Sequence, residues 1–306
     1  MPCPAEHNLP LLRPDYDRSI VNLITSLAGA AAPAANLYPP LAELEGLRVE
    51  QRPVLLLVVD GLGWEWLQRF PDSFLYRHLS ARLTSVFPTT TAAAVSALAL
   101  GVAPQQHGIP GWFTYLRELG AVVMPLPFMP RGGRSSYTEQ GVQAADVLAA
   151  SPLLPDLARP TAVAQPAYIA TSSYSQALFG DTARYPHRSL NALLQQLQRA
   201  LAEQTAPLVW GYWTELDALG HQFGIGSPEV HAHFLELDAE LAALAQRLAG
   251  QDVLLLVTAD HGLVDTTPAD TVMLQQHPEL AELLQLPLCG EPRAAFCHLR
   301  QGCGGD

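Results

Sequence analysis

Three uninterrupted apolar runs, each followed closely by an acidic residue, most constrain how this chain folds. They occupy residues 54–59, 207–213 and 254–258. Short runs without polar alternation are typical of strands that are buried on both faces of a parallel sheet. Helical patterns lie between them, at 91–100, 189–203 and 228–248. We therefore predict an α/β fold, a three-layer α/β/α sandwich with a mainly parallel central sheet.

One α/β domain over residues 1–306 accommodates this pattern, although the length alone would also allow two domains. Residues 110–150 fit the pattern least, because Pro125, Pro127, Pro130 and the pair Gly132-Gly133 interrupt them. We interpret this segment as an excursion over the edge of the sheet that could serve as a lid or a substrate loop.

The basic residues limit the kinds of catalytic and phosphate-binding site that the chain can form, because all 17 of them are arginine. A chain without lysine cannot use a lysine Schiff base or the lysine of a Walker phosphate-binding loop. The net charge of -12 argues against a surface that coats nucleic acid. It leaves room for a phosphorylated small molecule, because a metal ion can supply positive charge locally.

The N-terminal residues bear on location. Acidic residues and prolines stand where a secretory signal would need a basic start and an apolar run. No stretch of ~18 uninterrupted apolar residues predicts a membrane span. We expect a cytoplasmic protein without a membrane partner, and the sequence leaves its oligomeric state open.

Acidic and histidine side chains gather where the apolar runs end. Asp60 follows the first run, Asp217 and His221 follow the second, and Asp260 and His261 follow the third. Ligands of open α/β sheets bind beyond the carboxyl ends of the strands. The alternative is that the aspartates cap helices and the histidines belong to the core.

The spacing of these residues suits metal binding. Asp217 and His221 are four positions apart, so one helical turn would place both on one face. Asp260 and His261 are adjacent and could approach one ion from different angles. Carboxylate oxygen with imidazole nitrogen suits Zn²⁺ or Mn²⁺ better than Mg²⁺.

Three threonines, Thr89 to Thr91, lead directly into the alanine-rich helical pattern at 91–100. A hydroxyl at this place is usually a helix N-cap. The same place offers free backbone N–H groups and the positive end of the helix dipole, which together bind phosphate. A threonine held there beside a metal could act as a nucleophile. The residues alone leave both interpretations open.

Taken together, four segments resemble the alkaline phosphatase superfamily, in its nucleotide pyrophosphatase/phosphodiesterase branch. They are VVDGLG at 58–63, FPTTTAAAVSALALGVAPQQHGI at 87–109, ELDALGHQFGIGSP at 215–228 and TADHGLVD at 258–265. The segments occur in the family's order. The resemblance implies an alkaline phosphatase-like fold and a metal-dependent hydrolase of phosphodiester or phosphoanhydride bonds.

The resemblance also implies roles for single residues. Thr91 matches the family nucleophile, which forms a phospho-threonine intermediate. Two divalent metal ions are expected, most simply zinc, with manganese as the alternative. Asp60, Asp260 and His261 would hold one ion beside Thr91, and Asp217 and His221 would hold the other.

The chain departs from the family pattern in its substrate pocket. Ala92 follows the nucleophile, where the branch usually has an aromatic residue. Trp112 stands where nucleotide-hydrolysing members have an asparagine that contacts the phosphoryl group. Tyr212 matches a position that stacks on the base in some members, or is simply a buried tyrosine of the sheet. We expect a phosphorylated small-molecule substrate and treat a nucleotide as one candidate.

A further departure concerns the last ligand of the second metal, which the family takes from a downstream histidine. Only His277 and His298 follow His261, and neither has the family's flanking residues. We expect that the C-terminal part of the family pattern is missing and that the second site is weakened, the alternative being that His298 or His277 supplies the last ligand. One alternative keeps the metals and changes the chemistry, to a phosphonate hydrolase, a phosphomonoesterase or a phosphomutase of the same superfamily. The other alternative, which follows from a weakened second site, is a catalytically weakened protein that binds metal or phosphate.

Overall fold

The computed structural model describes residues 12–33 and 37–303. The strands are β1 (Val54–Val59), β2 (Thr114–Leu116), β3 (Ala121–Met124), β4 (Met129–Pro130), β5 (Thr161–Ala164), β6 (Ala183–Arg184), β7 (Leu208–Trp213), β8 (Leu254–Thr258), β9 (Cys289–Glu291) and β10 (Ala294–Phe296). The helices are α1 (Ile20–Ala28), α2 (Trp64–Leu67), α3 (Phe74–Arg77), α4 (Thr91–Leu100), α5 (Pro104–His107), α6 (Ser173–Phe179), α7 (Leu190–Glu203), α8 (Glu215–Phe223), α9 (Pro228–Leu248) and α10 (Pro278–Leu283). The three apolar runs are strands, as predicted.

The central sheet has the strand order β6-β5-β7-β1-β8, and each neighbouring pair is parallel. β1 lies in its middle, where Val58 is in register with Tyr212 of β7 and with Thr258 of β8. The carboxyl ends of these three strands therefore lie side by side. This arrangement confirms the mainly parallel sheet and brings the acidic residues after each strand to one edge.

Both faces of the sheet are covered by helices. Leu56 and Val58 of β1 belong to a core shared with α1, α4 and α6. Leu55 and Leu57 point the other way, into a core shared with α7 and α9. All four side chains are fully buried, and burying one such side chain stabilises a fold by roughly 1.5–3 kcal/mol. The three-layer α/β/α prediction is confirmed.

The helices begin and end where their sequences specify. The Ser19 hydroxyl accepts from the first-turn amides of α1, and Gly29 ends that helix. α7 buries leucines at helical spacing, at positions 190, 193, 194 and 197. In α4 every residue after Thr91 is buried, because a surface rich in alanine packs closely against its neighbours. This packing fixes the position of Thr91 at the start of α4.

Residues 110–150 form an antiparallel sheet of three short strands, β2-β3-β4, followed by 3-10 turns. The hairpin of β9 and β10 docks on the start of this segment. Phe113 N donates to Gly290 O over 3.1 Å, and Gly290 N donates to Phe113 O over 2.5 Å. The segment is thus joined to the C-terminal hairpin, while its use as a lid stays a prediction.

The prediction about membrane spans can be examined only in the residues that the structure describes. Within 12–33 and 37–303, no helix is long and apolar enough to cross a bilayer. Residues 1–11, where a secretory signal would begin, lie outside that part of the chain. The cytoplasmic location stays a prediction.

Candidate active site

Asp60 lies directly after β1, in a turn that continues with glycine. Its carboxyl group is buried, with 4% of the residue exposed, and its backbone N–H donates to Trp213 O over 2.8 Å. Gly61 follows with a φ of +77°, a conformation that favours glycine. A Cβ on Gly61 would lie 3.2 Å from Asp217 Cβ, so the main chain and Asp217 are in close contact.

Asp260 and His261 lie directly after β8, against the loop that carries Asp60. Gly262 and Gly63 pack main chain to main chain here, since a Cβ on Gly63 would lie 2.5 Å from Gly262 Cα. Two glycines are required for this approach. The contact places the side chains that follow β1 next to those that follow β8.

Asp60, Asp260 and His261 form a tight cluster. His261 Nε2 lies 3.2 Å from Asp60 Oδ1 and 3.7 Å from Asp260 Oδ2. Asp260 Oδ1 accepts from Gly61 N over 3.2 Å and from His261 N over 2.9 Å. One ligand atom from each of the three side chains lies within 4.8 Å of the others. The arrangement concentrates two carboxylates and one imidazole in the interior.

Burial raises the pKa of both carboxyl groups in this cluster. Desolvation raises the pKa of Asp60 well above its ordinary value, and the charges of Asp260 and Asp217 raise it further. Desolvation likewise raises the pKa of Asp260. The Tyr212 hydroxyl donates to Asp60 Oδ2 over 2.5 Å and offsets a part of this effect. The cluster therefore resists holding its negative charges without a counter-charge.

The donor atoms fit a divalent metal ion. Asp260 Oδ2 and Asp217 Oδ1 are buried and make no hydrogen bond within the described part of the chain. A buried carboxylate oxygen without a partner is costly unless a cation or a donor satisfies it. Oxygen atoms with one imidazole nitrogen form a ligand set of the kind that Zn²⁺ and Mn²⁺ accept.

Asp217 and His221 lie on α8, as the spacing predicts, but in different surroundings. The distance from His221 Nε2 to Asp217 Oδ2 is 3.5 Å. The Asp217 side chain is 14% exposed, whereas the His221 side chain is 73% exposed. The structure thus brings Asp217 to the cluster and leaves His221 open to solvent.

The two candidates for a last ligand lie among other side chains. His277 Nδ1 is 3.4 Å from Glu279 Oε1, and the His298 ring packs on the Tyr115 ring at a centroid distance of 5.3 Å. Neither belongs to the cluster of Asp60, Asp260 and His261. Their assignment as ligands stays untested.

Thr91 is the threonine that reaches the cluster. Its Oγ1 lies 3.0 Å from His261 Nε2 and 3.5 Å from Asp60 Oδ1. Thr89 Oγ1 instead donates to Val86 O over 2.8 Å, and Thr90 Oγ1 donates to Glu291 Oε1 over 2.6 Å. The structure therefore separates three neighbouring hydroxyl groups that the sequence alone treats alike.

Comparison with known proteins agrees with this geometry. The model of the family described as type I phosphodiesterase / nucleotide pyrophosphatase matches residues 54–301, which span β1 to β10. The chain belongs to this family. Membership supports a phosphoryl hydrolase of the phosphodiesterase and pyrophosphatase kind. No curated protein matches the chain in sequence.

Solved structures share the fold of this family member. Murine ectonucleotide pyrophosphatase/phosphodiesterase 5, as an inactive variant in complex with AMP, has a TM-score of 0.59 at 19% identity, covering 82% of this chain and 67% of that chain. A second structure of the same murine protein has a TM-score of 0.59 at 20% identity, with the same coverage. Phosphonoacetate hydrolase from Sinorhizobium meliloti 1021, in complex with phosphonoformate, has a TM-score of 0.56 at 19% identity, covering 83% and 70%. These likenesses establish the alkaline phosphatase-like fold.

The two predicted substrate contacts have contrasting surroundings. Tyr212 is only 3% exposed, and its hydroxyl is bound to Asp60. This placement matches the buried tyrosine of the sheet rather than a stacking platform. Trp112 is 37% exposed, and its backbone N–H donates to Glu291. Trp112 is therefore the aromatic side chain of the two that a substrate could contact.

Glu291 lies near Thr91 but is not among the site residues that the sequence predicts. It lies in β9 and contacts Thr90, which is 201 positions earlier. The only local signal is a Gly-Glu-Pro stretch between two short apolar segments, which predicts a turn and not a site.

Proposed function

We propose that this protein is a metal-dependent hydrolase of phosphodiester or phosphoanhydride bonds, acting through a phospho-Thr91 intermediate. The observation that carries the proposal is the position of Thr91 Oγ1, within 3.5 Å of both His261 Nε2 and Asp60 Oδ1. Thr91 is also the first residue of α4, whose free amides face an incoming anion. Membership of the family supports the reaction class.

Asp60, Asp260 and His261 would hold one divalent ion, with zinc proposed and manganese as the alternative. Asp217 and His221 would contribute to a second. When bound, such ions supply positive charge that favours the ionised Thr91 hydroxyl and the charge developing on the phosphoryl oxygens. Tyr212 would orient Asp60 by holding its Oδ2, which leaves Oδ1 directed at Thr91 and His261.

The chain's own part in the reaction begins at Thr91. Its Oγ1 loses its proton to solvent and forms a bond to phosphorus, while the bond from phosphorus to the leaving oxygen breaks and that oxygen takes a proton from water. The first-turn amides of α4 stabilise the phosphoryl oxygens during this step. Water then cleaves the phospho-Thr91 ester, which restores the hydroxyl and releases the second product.

We propose a phosphorylated small molecule as substrate, with a nucleotide as the first candidate. The murine structure in complex with AMP supports this choice by its shared fold. Because Tyr212 is buried, Trp112 is the proposed contact for a base or another leaving group.

The test replaces Thr91 with alanine and measures turnover of bis-p-nitrophenyl phosphate in the zinc-loaded protein. Turnover should fall to background while zinc binding, measured by calorimetry, remains. Thr89→Ala is the matched control, because it removes a neighbouring hydroxyl that does not reach the cluster, and its turnover should persist. Unchanged turnover in Thr91→Ala would remove Thr91 from the mechanism.

The competing functions are separated by substrate and metal content. Rates on a phosphomonoester, a phosphodiester and phosphonoacetate are compared at saturating metal, and a clear preference for the monoester or for phosphonoacetate would overturn the phosphodiesterase proposal. Near two metal equivalents per chain would support catalysis with two ions. One equivalent would favour the catalytically weakened binding protein. The exposure of His221, a proposed ligand of the second ion, is compatible with that outcome.

A further inference from the structure

The Glu291 carboxylate joins two segments beside the proposed nucleophile. Its Oε1 accepts from Thr90 Oγ1 over 2.6 Å and also from Trp112 N. Thr90 directly precedes Thr91, and Trp112 belongs to the segment that follows α5. Glu291 is not one of the clustered ligands, so the proposed metal chemistry leaves it without a role.

Main-chain packing holds Glu291 in this place. Gly290, its neighbour, exchanges two backbone hydrogen bonds with Phe113. A Cβ on Gly111 would lie 2.8 Å from Gly290 C, so these two backbones are in direct contact. The Arg131 guanidinium stacks over the Phe113 ring at 4.0 Å. The carboxylate is thus presented from a hairpin that is anchored at several points.

The bond to Glu291 diverts the Thr90 hydroxyl from its usual function. Thr90 is the N-cap residue of α4 and has the extended backbone of a cap, with φ −153° and ψ 152°. A threonine in this conformation normally accepts a hydrogen bond from an amide of the first turn. Thr90 makes no such bond, whereas Ser189 caps α7 and Ser227 caps α9 in the ordinary way.

We propose that Glu291 is a positioning residue that keeps the first-turn amides of α4 open for the phosphoryl group, by holding the Thr90 hydroxyl away from them. Without the carboxylate, that hydroxyl would rotate, cap the helix and compete with the bound anion for the same amides. The inference rests on the proposed function for the identity of the anion. The diverted cap itself is independent of the reaction.

The first experiment measures the affinity of the zinc-loaded full chain for inorganic phosphate by calorimetry. Glu291→Ala should weaken binding by roughly two- to thirty-fold, the range that corresponds to one capping bond. Glu291→Gln keeps an oxygen acceptor and should bind as the wild type does. Glu118→Ala removes an exposed glutamate of the neighbouring segment and serves as the control.

The decisive variant is the double substitution Thr90→Ala with Glu291→Ala. It removes the competing hydroxyl together with the carboxylate, so phosphate affinity should return toward the wild-type value. A double variant as weak as Glu291→Ala would show that Glu291 only supports the fold, and would overturn the inference. In kinetics, Glu291→Ala should raise KM for the diester more than it lowers kcat.

A crystal structure of metal-free Glu291→Ala separates this inference from the proposed function. Thr90 Oγ1 should then lie within hydrogen-bond distance of a first-turn amide of α4. If it keeps its wild-type direction, the inference is wrong whatever the enzyme does. If the wild type neither binds phosphate nor cleaves the diester, the proposed function fails, and the direction of Thr90 still decides whether Glu291 diverts the cap.

Discussion

Replacing Asp260 with asparagine should stabilise the metal-free protein, although Asp260 is a proposed metal ligand. The asparagine oxygen can keep both backbone bonds that Asp260 Oδ1 accepts, from Gly61 N and His261 N. The substitution removes the buried charge and converts the unpartnered Oδ2 into a donor that faces the other side chains of the cluster. No cavity is created, because the two side chains have nearly the same shape.

The expected gain follows from the burial of Asp260, which is fully enclosed. An uncompensated carboxylate in the interior costs several kcal/mol, and the bonds from two N–H groups offset about 1.5–3 kcal/mol each. The same two bonds to a neutral asparagine oxygen still contribute about 0.5–1.5 kcal/mol each, so the asparagine loses only a part of the bonding while it avoids the whole cost of the charge. We expect the variant to be more stable by about 2 kcal/mol at pH 8, which corresponds to roughly 3 °C in Tm for a chain of this size.

The pH dependence of stability provides a second test of whether Asp260→Asn is stabilising. Burial raises the folded-state pKa of Asp260 and of Asp60. Stability from such groups is fully present below the ordinary aspartate pKa and is lost as the pH rises through the raised value. The advantage of Asp260→Asn should therefore be small near pH 4 and largest at pH 8.

The assay is thermal unfolding in EDTA at pH 4, 6 and 8, repeated with Zn²⁺. Added zinc should stabilise the wild type more than the variant, because the proposed zinc site includes the Asp260 carboxylate. Asp238→Asn is the contrasting control, since Asp238 lies outside the cluster and accepts from Phe74 N and Leu75 N through different carboxylate oxygens. Its asparagine variant keeps only one of these bonds and should lose stability. A variant that is no more stable than the wild type in EDTA at pH 8 would refute the reasoning.

Other predictions address single contacts. Tyr212→Phe removes the donor to Asp60, so the pH at which zinc binding is half-maximal should rise by about 1–2 units, as followed by calorimetry; an unshifted midpoint would contradict this. Gly63→Ala sets a methyl group against Gly262 and should cost about 1–3 kcal/mol in urea denaturation. An unchanged stability would show that the contact does not hold the two loops together. Burial lowers the pKa of His107 to about 4, so the wild type should lose stability as the pH falls from 6.5 toward that value. His107→Gln should lack this loss in denaturation series, and an identical acid slope would show that another group titrates.

Local patterns predicted much of the fold. β1, β8, α4 and α9 have the predicted bounds, because apolar runs and helical spacing are properties of neighbouring residues. The gathering of Asp60, Asp260 and His261 could also be anticipated, since the carboxyl ends of parallel strands meet at one edge. The three side chains also meet because β1 and β8 are neighbours in the sheet, with β7 on the other side of β1. No local pattern in the sequence specifies this strand order.

The remaining features depend on contacts between distant segments. Glu291 reaches Thr90 through a hairpin that docks on β2, and the sequence carries no periodic signal for such docking. The spacing of Asp217 and His221 predicts a shared face of α8 but not that one side chain is buried and the other exposed. Tyr212 could not be assigned either, because its binding to Asp60 depends on the register between β7 and β1.

The contact between Gly63 and Gly262 has a consequence for evolution and for engineering of this protein. Because the two loops that carry the proposed ligands touch through their backbones, this contact contains no side chain that mutation could remove. The entropy cost of bringing these loops together would then arise during folding and not when a metal ion binds. This preorganisation favours tight binding of the ion. The same contact makes the two glycines a coupled pair, so that a larger residue at either position requires the other loop to move and the ligand geometry to change with it.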